Sequence, residues 1–286
     1  MQFRQRERLM NISRPALPVV LASVLCVGAA ALSTAQQAAE GIPVPFSDPA
    51  RVGTVSVRVH DGAITIRGEN RKDVLVTSQS PDGNARNRNT AEVPPGFRVL
   101  TSGRGVNILE ENNQIQINAA STRATRLDIR VPTRVNLMVS GHNGSGIEVE
   151  NVEGDIEARH HNASIRLTNV AGSVVASTHN GAIRVVLTRI AGDKAMAFTS
   201  FNGTVDVTLP ASAKANLRMQ SDRGDIITDF DVQVRPSAAP QIRSDGRQRV
   251  IEVNQSVFGT INGGGPEFEL RTYNGDVYLR RGGAQQ

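Results

Sequence analysis

One short motif recurs through the second half of this sequence. His142-Asn143-Gly144, His161-Asn162-Ala163, His179-Asn180-Gly181 and Phe201-Asn202-Gly203 share it, and Asp222-Arg223-Gly224 and Tyr273-Asn274-Gly275 repeat it more loosely. By subtraction of residue numbers, the first four copies follow one another after 19, 18 and 22 residues. A second motif alternates with it: Asn151-Val152-Glu153-Gly154, Asn169-Val170-Ala171-Gly172 and Arg189-Ile190-Ala191-Gly192. Both are built from residues that favour tight turns. Two turns and two short strands in a period of about twenty residues restrict the chain to a stacked β architecture, each unit burying its apolar face on its neighbours.

The stretches between the turns alternate strictly. Ile147/Val149, Ile165/Leu167, Ile183/Val185 and Val205/Val207 flank Glu148, Arg166, Arg184 and Asp206. Period-two alternation predicts the apolar pairs inside and the charged residues on a solvated face. Ala158 and Ala176 recur after the second turn, where a narrow interior would need small side chains. Upstream, Val55/Val57/Val59 and Ile64/Ile66 alternate around a turn at Asp61-Gly62. Further strands are predicted at 106–108, 115–117, 127–131 and 135–139. No helical apolar period lasts three turns downstream of residue 35, and Ala211 to Met219 also fits a turn followed by a strand from about Ala215. The fold class is therefore all-β: a β-solenoid-like stack of two-strand rungs of about 20 residues, equivalent positions lying roughly 4.8 Å apart.

The N-terminus resembles an export signal. Arg4, Arg6, Arg8 and Arg14 precede an apolar run from Leu17 to Leu32, and Ser33-Thr34-Ala35 offers small residues for cleavage. The run is shorter than the ~20 residues of a bilayer span and contains Pro18, so cleavage is favoured over a retained anchor. Met10 is an alternative start to Met1. The expected organisation is a signal peptide at 1–35, a flexible lead-in at 36–50, one domain at 51–281 and a tail at 282–286, with polar loops at 80–96 and from Pro236 to Pro240. Cys26 is the sole cysteine, so a chain cut after Ala35 has neither disulfides nor thiolate metal sites. It also has no membrane-spanning segment.

Charge argues against nucleic acid. The chain has 32 Lys+Arg and 27 Asp+Glu; removing the four Arg and one Glu of the first 35 residues leaves 28 against 26. That is a mixed surface without a basic stripe.

The strands from Val55 to Ile66, the Val131-Pro132 to Leu137 step and the Asn-Gly-x-Ile and Asn-Val-x-Gly turns together resemble the bacterial putative adhesin family, domain of unknown function 4097. The resemblance runs from about Val52 to Leu279. It implies a right-handed β-helix or a related stacked β-fold and supplies no catalytic residues. Ala163 in place of a turn glycine, and Arg223 where Asn is usual, depart from the pattern.

Three sets of residues are candidates for a role. His142, His161 and His179, continued by Phe201, form a column that could share a metal ion or simply stack at a corner; flat rings in register explain it without chemistry. Asn143, Asn162, Asn180, Asn202 and Asn274 form a second column, read as a structural amide ladder. Gly154, Gly172 and Gly192 are read as positive-φ corner residues. No nucleophile elbow, zinc-protease helix motif or phosphate loop occurs. The expected function is that of a non-enzymatic, exported envelope protein, an adhesin or interaction surface, without a cofactor. Its partner is an unidentified envelope or cell-surface component, and its location the periplasm, the cell surface or the medium. The alternatives are a carbohydrate-active β-helix enzyme, which requires converging carboxylates, and a periplasmic metal-binding protein using the stacked histidines.

Overall fold

A computed structural model describes residues 41–79, 106–119, 125–191, 193–235, 241–245, 248–252 and 256–282. The proposed signal peptide, the polar loops at 80–96 and 236–240, Gly192 and residues 283–286 lie outside the described residues. Among those described, the regular elements are 20 β-strands, and no helix is long and apolar enough to cross a membrane. Eighteen strands are hydrogen-bonded into one sheet system, while Gln241–Asp245 and Gln248–Glu252 form a separate antiparallel pair.

The alternation seen in the sequence is what makes the strands. In Thr54–Glu69, Val55, Val57, Val59, Ile64 and Ile66 are buried and, apart from Gly62 at the corner, the residues between them are not. This strand runs without a break through Asp61-Gly62, so that pair forms a corner within one strand rather than a hairpin. Asn136–Glu150 passes the same corner, and Ile165–Asn180 passes the other.

The corners join two parallel ladders. The first contains, in spatial order, Gln114–Ala119, 54–59, 136–141, Glu153–His160, 171–180, Met196–Asn202, Glu267–Asn274 and Ala215–Arg223. The second contains Thr125–Pro132, 62–69, 146–150, 165–170, Ile183–Ile190, Val205–Pro210, Val277–Gly282 and Ile226–Thr228. Inward side chains of both ladders form one apolar cluster, in which Ile66, Ile117, Ile129, Ile165, Phe198 and Phe268 are fully buried. Burial of each such side chain contributes about 1.5–3 kcal/mol. Ala158 and Ala176 are buried as expected, but Phe198 follows them in the same column, so the interior is not narrow throughout.

Spatial order departs from chain order at both ends. The earliest two-ladder unit, Thr54–Glu69, lies between the unit of 114–132 and that of 136–150. The latest, 267–282, lies between 196–210 and 215–228. Simple sequential stacking therefore holds only from 136 to 210. Antiparallel strands flank the outer units: Asp73–Gln79 and Val106–Glu111 at one end, and Ser256–Ile261 at the other, where it pairs with Ala215–Arg223 and not with Ile226–Thr228. Antiparallel cover gives a parallel stack an end that is not an open template. The lead-in expected to be flexible contributes to this cover, since Ile42–Pro45 pairs antiparallel with Asp73–Gln79.

A chain ending at Asn262 lacks Phe268, Leu270, Val277 and Leu279, all buried. Because that unit is interior, its loss is expected to remove hydrogen-exchange protection from 196–210 as well as 215–228. Four such side chains at about 1.5–3 kcal/mol each correspond to a Tm decrease of roughly 10 °C or more. Retained protection in 196–210 would contradict the interleaved order.

Candidate functional site

The first corner is held by three columns of side chains. The outermost is the asparagine ladder. Asn162 Nδ2 donates to Asn143 Oδ1 at 2.7 Å, Asn180 to Asn162 at 3.0 Å, Asn202 to Asn180 at 2.8 Å and Asn274 to Asn202 at 2.7 Å. All five predicted asparagines are thus in one line. The last step skips from Asn202 to Asn274 because 267–282 is inserted there.

The second column is a stack of rings. His60, His142, His161, His179, Phe201 and Tyr273 follow one another with centroid separations of 5.3, 4.8, 5.1, 4.8 and 4.8 Å, neighbouring planes lying within 12° of parallel. Tyr273, not Asp222, succeeds Phe201. Arg223 then places its guanidinium 5.2 Å from the Tyr273 ring centre and ends the stack. This accounts for Arg223 at an asparagine position: it meets Asn274 in register, beyond which the ladder has no further asparagine. Ala163 is tolerated at a glycine position because it is not among the residues with positive φ. His60 is the member that the repeat reading missed, although His60-Asp61-Gly62 is itself a copy of the corner triplet.

The third column points inward and was not foreseen. Thr178 Oγ1 donates to the Ala163 carbonyl at 2.8 Å, Ser200 to Gly181 at 2.9 Å, Thr272 to Gly203 at 2.7 Å and Ser221 to Gly275 at 2.8 Å. These buried hydroxyls satisfy corner carbonyls of the adjoining unit, which burial would otherwise leave costly. The signal was in the sequence, since each precedes the ring-column position of its own unit: Thr178-His179, Ser200-Phe201, Thr272-Tyr273 and Ser221-Asp222. At the fourth-unit position the column carries His160, in register with Gly141 and Thr178. A Cβ on Gly141 would lie 2.4 Å from the imidazole, so glycine makes room for the ring. Nδ1 of His160 has no hydrogen-bond partner among the described residues. Burial, reinforced by His142 and His161, holds its pKa below the ordinary value of 6.5.

At the second corner Gly154 and Gly172 have positive φ as expected, and two asparagines join them. Asn151 and Asn169 occupy the left-handed region, with φ of 59° and 54°, and the Asn169 amide donates to the Asn151 side chain. Gly172 is also required: its φ is 122°, and a Cβ there would lie 2.1 Å from the Gly154 carbonyl oxygen. Gly154 occupies the equivalent position one unit earlier. Arg189 pairs with Glu153 beside this corner.

Three properties decide what these residues can do chemically. First, the imidazoles stack with ring centroids 4.8–5.3 Å apart and planes within 12° of parallel, the geometry of flat side chains packed in register. No group of three His, Cys, Asp or Glu able to hold a metal occurs among the described residues. Second, the predicted charged face exists, with Glu148, Arg166, Arg184 and Asp206 adjacent in register. Asp206, expected to face solvent, is instead buried, because Arg280 at 2.9 Å and Arg184 at 3.4 Å close over it. Third, two separate open hollows lie between the ring stack and the outward face of the first ladder, and together they make a discontinuous furrow. One hollow of about 390 Å³ is lined by Arg58, His60, Asn118, Ser140 and His142. Another of about 440 Å³ is lined by His161, Ser177, His179, Thr199, Phe201, Arg271 and Tyr273.

No family model matches the chain, and no curated protein matches it. Among solved structures, it is similar to a putative cell adhesion protein from Clostridium sporogenes, with 9% identity, a TM-score of 0.43 and coverage of 85% of this chain and 100% of that one. It is also similar to a putative adhesin from Bacteroides fragilis, with 12% identity, a TM-score of 0.28 and coverage of 84% and 95% respectively.

The corner yields three expected outcomes. Asn180→Ala breaks two amide contacts and Asn274→Ala one, at about 0.5–1.5 kcal/mol each; chemical denaturation should show the first costing about twice the second. His160 has a folded pKa below its unfolded one, so its neutral form stabilises the fold above pH 6.5, and that stability is lost as pH falls from there toward the folded pKa. Tm should therefore drop between pH 7.5 and 5, and His160→Thr, matching Thr178, should flatten that slope. Calorimetric zinc titration should not distinguish wild type from His161→Ala; a tenfold loss of affinity in the variant would reinstate the metal reading.

Proposed function

We propose that the chain is a right-handed β-solenoid of the bacterial putative adhesin family that it resembles, and that it acts without catalysis as an interaction scaffold exported to the cell envelope. The observation that carries this reading is the alignment of equivalent residues into unbroken columns across successive units. Such columns present the same side-chain position again and again along one axis. That suits an extended partner and many shallow contacts, each of small value when solvated.

The acidic groups support a non-catalytic role. Asp128 and Glu150 both contact Arg67, at 2.9 and 3.3 Å, and Glu69 contacts Arg71 and Arg130 at 3.6 Å. Glu153 is taken by Arg189 and Asp206 by Arg184 and Arg280. Carboxylates serving glycoside hydrolysis would instead face one another across a cleft, one of them free to hold a proton. The apolar run before Ser33-Thr34-Ala35 supports export.

The test is fractionation of cells carrying a C-terminally tagged copy, followed by crosslinking. The expected product lacks its first 35 or so residues, lies in the envelope or medium, and is joined to an envelope component. Cytoplasmic protein with an intact N-terminus would overturn the export reading. Release of reducing ends from a polysaccharide by purified protein would overturn the non-catalytic one.

A further inference from the structure

The outward column of the first ladder that floors the furrow is not uniform. In register order it reads Asn118, Arg58, Ser140, Arg159, Ser177, Thr199, Arg271 and Gln220. Arginines alternate with small hydroxyl residues, and the two hollows open where the small residues lie, over Ser140 and over Ser177 and Thr199. With strands about 4.8 Å apart, Arg58 and Arg159 stand two steps apart, and Arg159 and Arg271 three. Among the described residues neither Arg58 nor Arg271 has an acidic partner. Arg159 contacts Glu157 at 2.6 Å through one nitrogen while its side chain remains 66% exposed, which leaves other donors of the guanidinium free. The opposite ladder differs in part: there Arg67, Arg184 and Arg280 are committed to carboxylates, while Arg166 among the described residues is not.

The wall of the furrow narrows the ligand class further. The four inner rings have both faces occupied by their neighbours, and Arg223 covers the outer face of Tyr273, so a ligand along the stack meets mainly ring edges. Single-stranded nucleic acid is held mainly by stacking bases on open aromatic faces, which this stack does not offer. An extended acidic peptide places same-side residues about 6.7 Å apart, out of step with the strands. A sugar ring in an extended glycan advances by close to one strand spacing, and its hydroxyls match Ser, Thr and imidazole edges.

We propose that this furrow binds a linear anionic polysaccharide laid across the strands. Arg58, Arg159 and Arg271 take its carboxylate or sulfate groups, and Ser140, Ser177 and Thr199 take its hydroxyls. The inference rests on the reading of the chain as an interaction scaffold and names the ligand class of that surface.

Affinity electrophoresis of the mature protein through gels containing polygalacturonate, neutral dextran or oligothymidylate tests it. Retardation is expected in polygalacturonate and not in dextran. The triple variant Arg58→Ser/Arg159→Ser/Arg271→Ser should bind about tenfold more weakly, and Arg166→Ser, which removes a charge from the other ladder, should bind like wild type. Ser177→Trp fills the furrow without changing charge and should also weaken binding, which separates a shaped site from general charge attraction. The ligand assignment is overturned by absence of retardation, by a triple variant that binds like wild type, or by tighter binding to oligothymidylate. If polygalacturonate fails while the tagged protein still crosslinks to an envelope component, the ligand class falls and the scaffold reading stands.

Discussion

Register between parallel strands is decided at the first corner, and the rest of the molecule follows from it. There the backbones of successive units approach so closely that a Cβ on Gly144 would lie 2.0 Å from the Gly62 carbonyl oxygen, and one on Gly203 2.2 Å from that of Gly181. The same corner carries the amide ladder, the ring stack and the buried hydroxyls. A slip of one residue would break all three together and turn every apolar side chain of a strand from core to solvent. No single contact is strong: an amide bond contributes about 1 kcal/mol net, and a ring pair about 0.5–1.5 kcal/mol. Their common dependence on one alignment is what makes the register unambiguous.

The interleaved ends change how such a stack resists unfolding. In a linear array of repeats each unit contacts only its neighbours, so the first and last in the chain ordinarily fray. Here the first and last two-ladder units of the chain are interior, each with a parallel partner on both sides. The outermost units come from 114–132 and 215–228, and antiparallel strands cover the first along both ladders and the second along 215–220. Loop closure between 69 and 125, or between 228 and 267, has to be completed before either interior unit is fully enclosed. Such non-local pairing slows folding but ties both chain ends into the cooperative core.

Much of this was legible in the residues, and the remainder was hidden for a physical reason. Strand alternation, the five asparagines and the three stacked histidines could be read because side-chain period and turn chemistry are local properties. His60 and the hydroxyl column were equally local and followed the same triplet, so they were readable in principle. The order of the units was not. Val55/Val57, Ile115/Ile117 and Leu137/Val139 present nearly identical apolar edges, and nothing in such a pattern states which edge lies on which. The burial of Asp206 was hidden likewise, because Arg280 reaches it only after the last unit is inserted beside 205–210. Composition gave the wrong emphasis too: an almost balanced charge says nothing about which arginines are paired with carboxylates, as Arg67, Arg184 and Arg280 are, and which among the described residues are not, as Arg58, Arg166 and Arg271.

Exposure of the ring edges explains why a ring stack at this corner favours imidazole over phenyl groups. A ring stacked on both faces contributes to its surroundings only through its edge, and the edge of Phe201 is apolar yet 43% exposed. Replacing such edges with imidazoles keeps the flat shape that stacking needs and gives the outer rim hydrogen-bonding groups. The inward neighbour obeys the opposite demand, since a hydroxyl there reaches a corner carbonyl and stays small. His160 is the exception, a large ring with an unpartnered nitrogen, accommodated only because Gly141 has no side chain. The corresponding positions 178, 200 and 272 carry threonine or serine. The cost of retaining a buried imidazole beside the furrow falls on the same stretch of corner where the stacked histidines line its wall.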